Sequence, residues 1–155
     1  MNEQQFEIVR LDSEHLAAAR GLFAQITADP TAEFFHPHPF SPVVAEDIAN
    51  RMGADEYILL LVDGKPEGYG ILRGWDEGYD IPSLGIYVTP AMRGTSAARF
   101  LMNSLHDLAA SHGAEKIRLT VHPNNQAAFH LYSKFGYVFD RDENGQLIGF
   151  LDLNR

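Results

Sequence analysis

Apolar side chains recur along this chain with two periods, and the switches between them mark the elements. Gln5 to Leu11 reads as a strand. Asp12 or Ser13 then stands at the N-cap of a helix that carries Leu16, Ala19, Phe23 and Ile26 at helical spacing and ends at Asp29-Pro30. Ser41-Pro42 opens a second helix, with Val44, Ile48 and Met52 predicted to face inward and Gly53 to close it. Tyr57 to Val62 and Glu67 to Leu72 flank the turn Asp63-Gly-Lys-Pro66 and are predicted to pair antiparallel. Leu84, Ile86 and Val88 alternate with Gly85 and Tyr87, the period of a half-buried strand, and Pro90 stops that ladder because it has no N–H to donate. Ala97, Leu101, Leu105 and Leu108 return to helical spacing and predict a helix from about Thr95 to His112. A strand at Lys116 to Val121 is followed by a short helix from Asn125, with Ala128, Leu131 and Phe135 on one face and Gly136 as a left-handed cap. Tyr137 to Arg141 and Leu147 to Leu153 then flank Asn144-Gly145 as a last hairpin. This order, β-α-α-β-β-β-α-β-α-β-β, predicts an α/β fold in which a mixed sheet is covered by helices on both faces.

Two segments carry candidate chemistry. The first is the strand, sharp turn and helix start of residues 84–98, built around the turn from the smallest side chains available. The first N–H groups of a helix have no internal partner and lie at the positive end of its dipole, and here Gly94, Ser96, Ala97 and Ala98 leave them uncovered. Arg93 adds a cationic fork beside them, an arrangement suited to a diphosphate, although small-residue turns also open many helices that bind nothing. The second is the helix from Asn125 to Tyr137. Val88, Pro90, Arg93 and Ala98 of the first, with Asn125, Ala128, Leu131, Tyr132, Gly136 and Tyr137 of the second, resemble the acetyl-CoA-binding core of the GCN5-related N-acetyltransferase (GNAT) superfamily. The resemblance is motif-specific over about Ile81 to Phe139, and Ser96 stands where the family usually has its middle glycine.

That resemblance implies one acyl-CoA N-acyltransferase domain over residues 1–155, with a mostly antiparallel sheet splayed in the middle. It implies acetyl-CoA as co-substrate, its pantetheine arm against the backbone of Ile86, Tyr87 and Val88 and its diphosphate across Arg93, Gly94, Thr95, Ser96, Ala97 and Ala98. Asn125 is implied to contact the cofactor or to bridge the splayed strands. Chemistry in the family is direct attack of an amine on the acetyl carbonyl, with Tyr132 placed to protonate the departing thiolate. The alternative for Tyr132 is a core aromatic with its hydroxyl on the rim. Many family members carry a glutamate base on the strand that is Pro82 to Val88 here, and this strand offers only Ser83 and Tyr87. The base must come from elsewhere: His122, at the end of its strand, or Asp76, Glu77 and Asp80 in the preceding loop.

Acceptor contacts are expected outside the cofactor motifs. The loop Phe34 to Phe40 gathers aromatics, prolines and histidines, and either covers the core entrance or lines an acceptor pocket through Phe35, His36 and His38. Two histidines two apart lack an identifiable third ligand, so no metal is expected. Trp75 beside Asp76 and Glu77 suits an aminosugar, with the ring stacked and the ammonium held by carboxylate.

Composition narrows the partners. Without cysteine the chain has no disulfide staple and no thiolate nucleophile, so acyl transfer through a cysteinyl intermediate is excluded. The longest apolar run, Tyr57 to Val62, is strand length, and the first residues lack the parts of a signal peptide, so a cytoplasmic protein without membrane contact is expected. A formal charge of −9 repels nucleic acid and anionic lipid and favours a cationic acceptor. The expectation is an acetyl-CoA-dependent N-acetyltransferase, monomeric or homodimeric, acting on a small primary amine such as an aminosugar or nucleotide-linked aminosugar. Two alternatives stand beside it: acetylation of a peptide amine, at an N-terminus or a lysine, and a CoA-binding regulatory module without turnover.

Overall fold

The structure, a computed structural model, describes residues 4–141 and 144–153. Seven strands, β1 (Phe6–Arg10), β2 (Glu56–Val62), β3 (Lys65–Arg73), β4 (Ser83–Val88), β5 (Lys116–Val121), β6 (Val138–Arg141) and β7 (Leu147–Asp152), form one sheet in the order β1-β2-β3-β4-β5-β7-β6. Every neighbouring pair is antiparallel except β4 and β5. Four α-helices cover the sheet: α1 (Leu16–Ala28), α2 (Pro42–Ala49), α3 (Ala97–Ser111) and α4 (Gln126–Lys134). The unbroken apolar run of β2 follows from its central place. Ile58, Leu60 and Val62 share a core with Leu101, Met102 and Leu105 of α3, whereas Tyr57, Leu59 and Leu61 share another with Leu22, Phe23 and Ile26 of α1.

Local chemistry sets the boundaries. Asp12 is the cap at the first turn, its carboxylate accepting from the His15 N–H at 3.1 Å. Asp63 and Gly64 both take positive φ, 50° and 85°, so the β2–β3 hairpin closes on a two-residue turn and β3 starts earlier than the four-residue turn predicted. Gly136, at φ 100°, ends α4, and the Tyr137 N–H reaches back to the Tyr132 carbonyl at 3.2 Å. The second helix is shorter than its apolar stripe predicts. Asn50 caps it, so Met52 lies past its end and is 98% exposed instead of facing inward. Helix α3 starts two residues later than Thr95, whose hydroxyl instead accepts from the Ala97 N–H.

What positions the site is the failure of β4 and β5 to stay together. They share one bridge, Ser83 with Arg118, where the Arg118 N–H donates to the Pro82 carbonyl at 3.0 Å. Beyond it β4 stays paired with β3 as far as Val88, and β5 stays paired with β7 as far as Val121. Each strand follows its antiparallel partner, and the sheet opens between them.

Candidate active site

The opening is a cleft of about 400 Å³. Ile86, Tyr87 and Val88 form one wall, Val121 and His122 the other, with Phe34 and Phe35 above and Ala128 and Tyr132 of α4 also facing it. Arg93, Ala98 and Asn125 complete the lining among the residues expected to meet a cofactor. Gly94, Thr95, Ser96 and Ala97 make the turn between Arg93 and Ala98; of these, Ala97 is fully buried in the core beneath α3. Gly94 has φ 78°, the left-handed conformation that lets the chain reverse into the helix. Among the described residues, the N–H groups of Gly94, Ser96, Ala98 and Arg99 have no acceptor. The turn is thus a cradle of free donors at a helix start, which fits an anionic diphosphate. Asn125 is a structural cap as well, its Oδ1 accepting from the Ala128 N–H at 3.3 Å.

Tyr132 is almost wholly buried, and burial holds its phenol pKa above the ordinary value. Its hydroxyl makes no hydrogen bond to any described residue. A protonated, unpartnered phenol therefore borders the cleft. His122 stacks on Phe34 with ring centroids 4.8 Å apart, and its Nδ1 accepts the Asn124 N–H at 3.1 Å. Neutral His122 in that arrangement carries its proton on Nε2, which makes it a hydrogen-bond donor; acting as a base would require breaking the Asn124 bond. Among the described residues, no carboxylate lines this cleft.

Arg93 is already engaged. Its guanidinium donates to Thr31 Oγ1 at 2.6 Å and to Asp29 Oδ2 at 3.2 Å, and lies over the Tyr87 ring. Asp29 Oδ2 also accepts the Tyr87 hydroxyl at 2.6 Å. Hydrogen bonds from Thr31 and Tyr87, with the Arg93 charge, hold the Asp29 carboxyl down to about 2. The fork expected beside a diphosphate thus ties the start of α3 to the end of α1.

A second cavity, of about 540 Å³, adjoins the first and shares Phe34, Phe35, Gly85, Thr120 and His122 with it. His36 lines it, together with Arg73 and Ser83 and with Glu33, Arg118 and Gln146, which the sequence did not single out. The aromatic loop divides between two tasks. Phe34 and Phe35 face the cavities, whereas His38 and Phe40 pack against Phe23 and Tyr69. His38 Nδ1–H donates to the Pro39 carbonyl, its Nε2 accepts from the Tyr69 hydroxyl at 2.8 Å, and burial lowers its pKa. It is a core histidine, not an acceptor contact. Trp75 and Asp76 are also elsewhere. The indole stacks on His112 at 4.3 Å, and Asp76 accepts the Ala54 N–H at 2.7 Å, fastening its short 3₁₀ turn to the end of the second helical segment. Glu77 and Asp80 border a third cavity beside Arg73 and Arg118, outside the cleft. The sugar-stacking arrangement expected of Trp75, Asp76 and Glu77 is not assembled, because the tertiary fold turns this loop toward the far end of α3.

The chain matches the acetyltransferase (GNAT) family over residues 23–137. It is 38% identical over 76 residues to an uncharacterised N-acetyltransferase of Mycobacterium tuberculosis, covering 48% of this chain and 47% of that one, so the chain spans about half the length of the curated relatives it matches. The fold superposes on the GNAT domain of S. lividans PAT with TM-score 0.79 at 14% identity, covering 94% of this chain and 89% of that one. It superposes on PaiA N-acetyltransferase from Thermoplasma acidophilum in complex with coenzyme A with TM-score 0.76 at 16% identity, covering 96% and 99%.

Proposed function

We propose, from the premise that this chain belongs to the GNAT acetyltransferase family, that it transfers an acetyl group from acetyl-CoA to a primary amine of a small molecule. The observation that carries the reading is the splay of β4 from β5, which opens a cleft between a cradle of free N–H donors and an unpartnered phenol.

Acetyl-CoA supplies the activated acetyl group. The free N–H groups of Gly94, Ser96, Ala98 and Arg99 would hold its diphosphate, and the unpaired edge of β4 at Ile86 to Val88 would receive its pantetheine amides. Phe34, Phe35 and Val88 exclude water from the reacting end of the cleft. Tyr132, kept protonated by burial, would give its hydroxyl proton to the departing thiolate. His122 Nε2–H supplies a donor at the same cleft, suited to an oxygen that gains negative charge. With no carboxylate of the described residues in the cleft, the amine reacts from its neutral fraction, and the proton its nitrogen sheds on forming the amide returns through water to the Tyr132 phenolate. It enters by the adjoining cavity under Phe34 and Phe35.

Incubating the chain with acetyl-CoA and a panel of amines, with CoA release followed by thiol titration, tests this. Amine-dependent release is expected. Saturable acetyl-CoA binding without release by any amine would instead identify a CoA-binding regulatory module, and release only with peptide amines would move the acceptor to protein.

A further inference from the structure

Two arginines line the second cavity, and neither is ion-paired with a described carboxylate. Arg73 on β3 lies opposite Ser83 on β4, and Ser83 lies opposite Arg118 on β5, so the three form one row across adjacent strands at the last point where the sheet is closed. All three line the second cavity. Adjacent strands are about 4.8 Å apart, which sets the backbones of the two arginines about 10 Å apart with the serine hydroxyl between them. Arg73 Nη1–H donates to the Pro37 carbonyl at 2.8 Å. Arg118 has a buried Nε–H with no hydrogen-bond partner among the described residues. Neither guanidinium is ion-paired with any described carboxylate, although Glu33 borders this cavity and Glu77 and Asp80 border the one beside it. Leaving a buried donor unmade is costly, and two like charges in one row across the sheet repel unless an anion lies between them. In a chain with 21 acidic and 12 basic residues, such a spot is the exception.

We propose that Arg73, Ser83 and Arg118 form an oxyanion subsite, so that the acceptor amine also bears a carboxylate or a phosphate; this rests on the acceptor entering by the second cavity. The planar forks suit either group, with the serine hydroxyl as a further donor. An acceptor anchored there by its anion extends its amine toward the shared wall of the two cavities at Phe34 and His122. The overall negative field and this local positive row then select together: the field draws in a molecule with an ammonium group, and the row retains only those that carry an anion too.

The test compares matched acceptors: amino acids against their amides, and an aminosugar phosphate against the free aminosugar. KM should be lower for the charged member of at least one pair, and the pair that shows it names carboxylate or phosphate. Arg118→Gln and Arg73→Gln should each shrink that KM ratio by about 10- to 100-fold, and Arg118→Lys should restore only part of it. Equal KM within both pairs, or a ratio untouched by both glutamine variants, would overturn the subsite while leaving acetyl transfer intact. A second readout needs no turnover. Titrating inorganic phosphate or succinate while following the Arg118 Nε–H resonance, assigned by its loss in Arg118→Lys, should give a saturable shift with one of them. No shift with either would overturn the subsite even if no amine releases CoA.

Discussion

Tyr132, buried, and His106, half-buried, are titratable side chains that pack on Tyr137 from two helices, and they answer to different demands. Tyr132 has no partner for its hydroxyl and borders the cleft, so removing that oxygen should cost little stability. Tyr132→Phe is expected to lower kcat by about 10²- to 10⁴-fold with acetyl-CoA affinity retained. Wild-type kcat with chemistry rate-limiting would reduce Tyr132 to a packing ring. His106 does have a partner, the Tyr137 hydroxyl at 2.8 Å, and burial pushes its pKa down to about 4 from the usual 6.5. Above pH 6.5 neither the folded nor the unfolded chain is protonated there, and His106 is silent. Between 6.5 and 4 the unfolded chain takes up a proton that the native state refuses, so stability falls with pH by about 2 kcal/mol from this group. Urea midpoints at neutral pH and near pH 4 should therefore differ less in His106→Gln than in the wild type. Equal differences would show that His106 titrates normally in the fold.

Elements meet closely where side chains are absent. Helix α3 lies on β3 over Gly68 and Gly70, and a Cβ at Gly70 would come within 3.1 Å of both Leu105 methyls and of Ile58. Gly70→Ala should destabilise by about 1 to 3 kcal/mol, read as a lowered urea midpoint, since either the leucine or the helix must shift. An unchanged midpoint would mean that Leu105 moves freely. Within elements the sequence was informative because its signals are local. Period-two strands, the Asp12 and Ser41 caps and the Gly136 terminus rest on contacts a few residues apart. The cofactor turn was legible for the same reason, being one continuous segment from Val88 to Ala98. The acceptor side was not. Arg73, Ser83 and Arg118 are brought together by strand register across separations that no spacing rule encodes, and Trp75 was misplaced because its stacking partner, His112, lies far along the chain. Arg118 left no trace of its own, since it occupies an ordinary polar position in the alternation of Ile117, Leu119 and Val121.

At the scale of the whole molecule, two cores on opposite faces of one sheet leave a gap only where β4 and β5 part. Asp29, Thr31, Tyr87 and Arg93 fasten the end of α1 to β4 and the entry of α3 on one side of that gap. Among the described residues no helix is long and apolar enough to cross a membrane. Calorimetric titration of acetyl-CoA into the wild type and Ala98→Glu shows whether the cradle at Arg93 to Ala98 holds the diphosphate of acetyl-CoA. Ala98 lines the cleft and is only partly buried, so a glutamate there fills the cradle and sets a like charge against the phosphates. Saturable binding to the wild type, lost in a variant with an unchanged unfolding midpoint, is the expected result. Equal affinity in the two folded proteins would contradict the site.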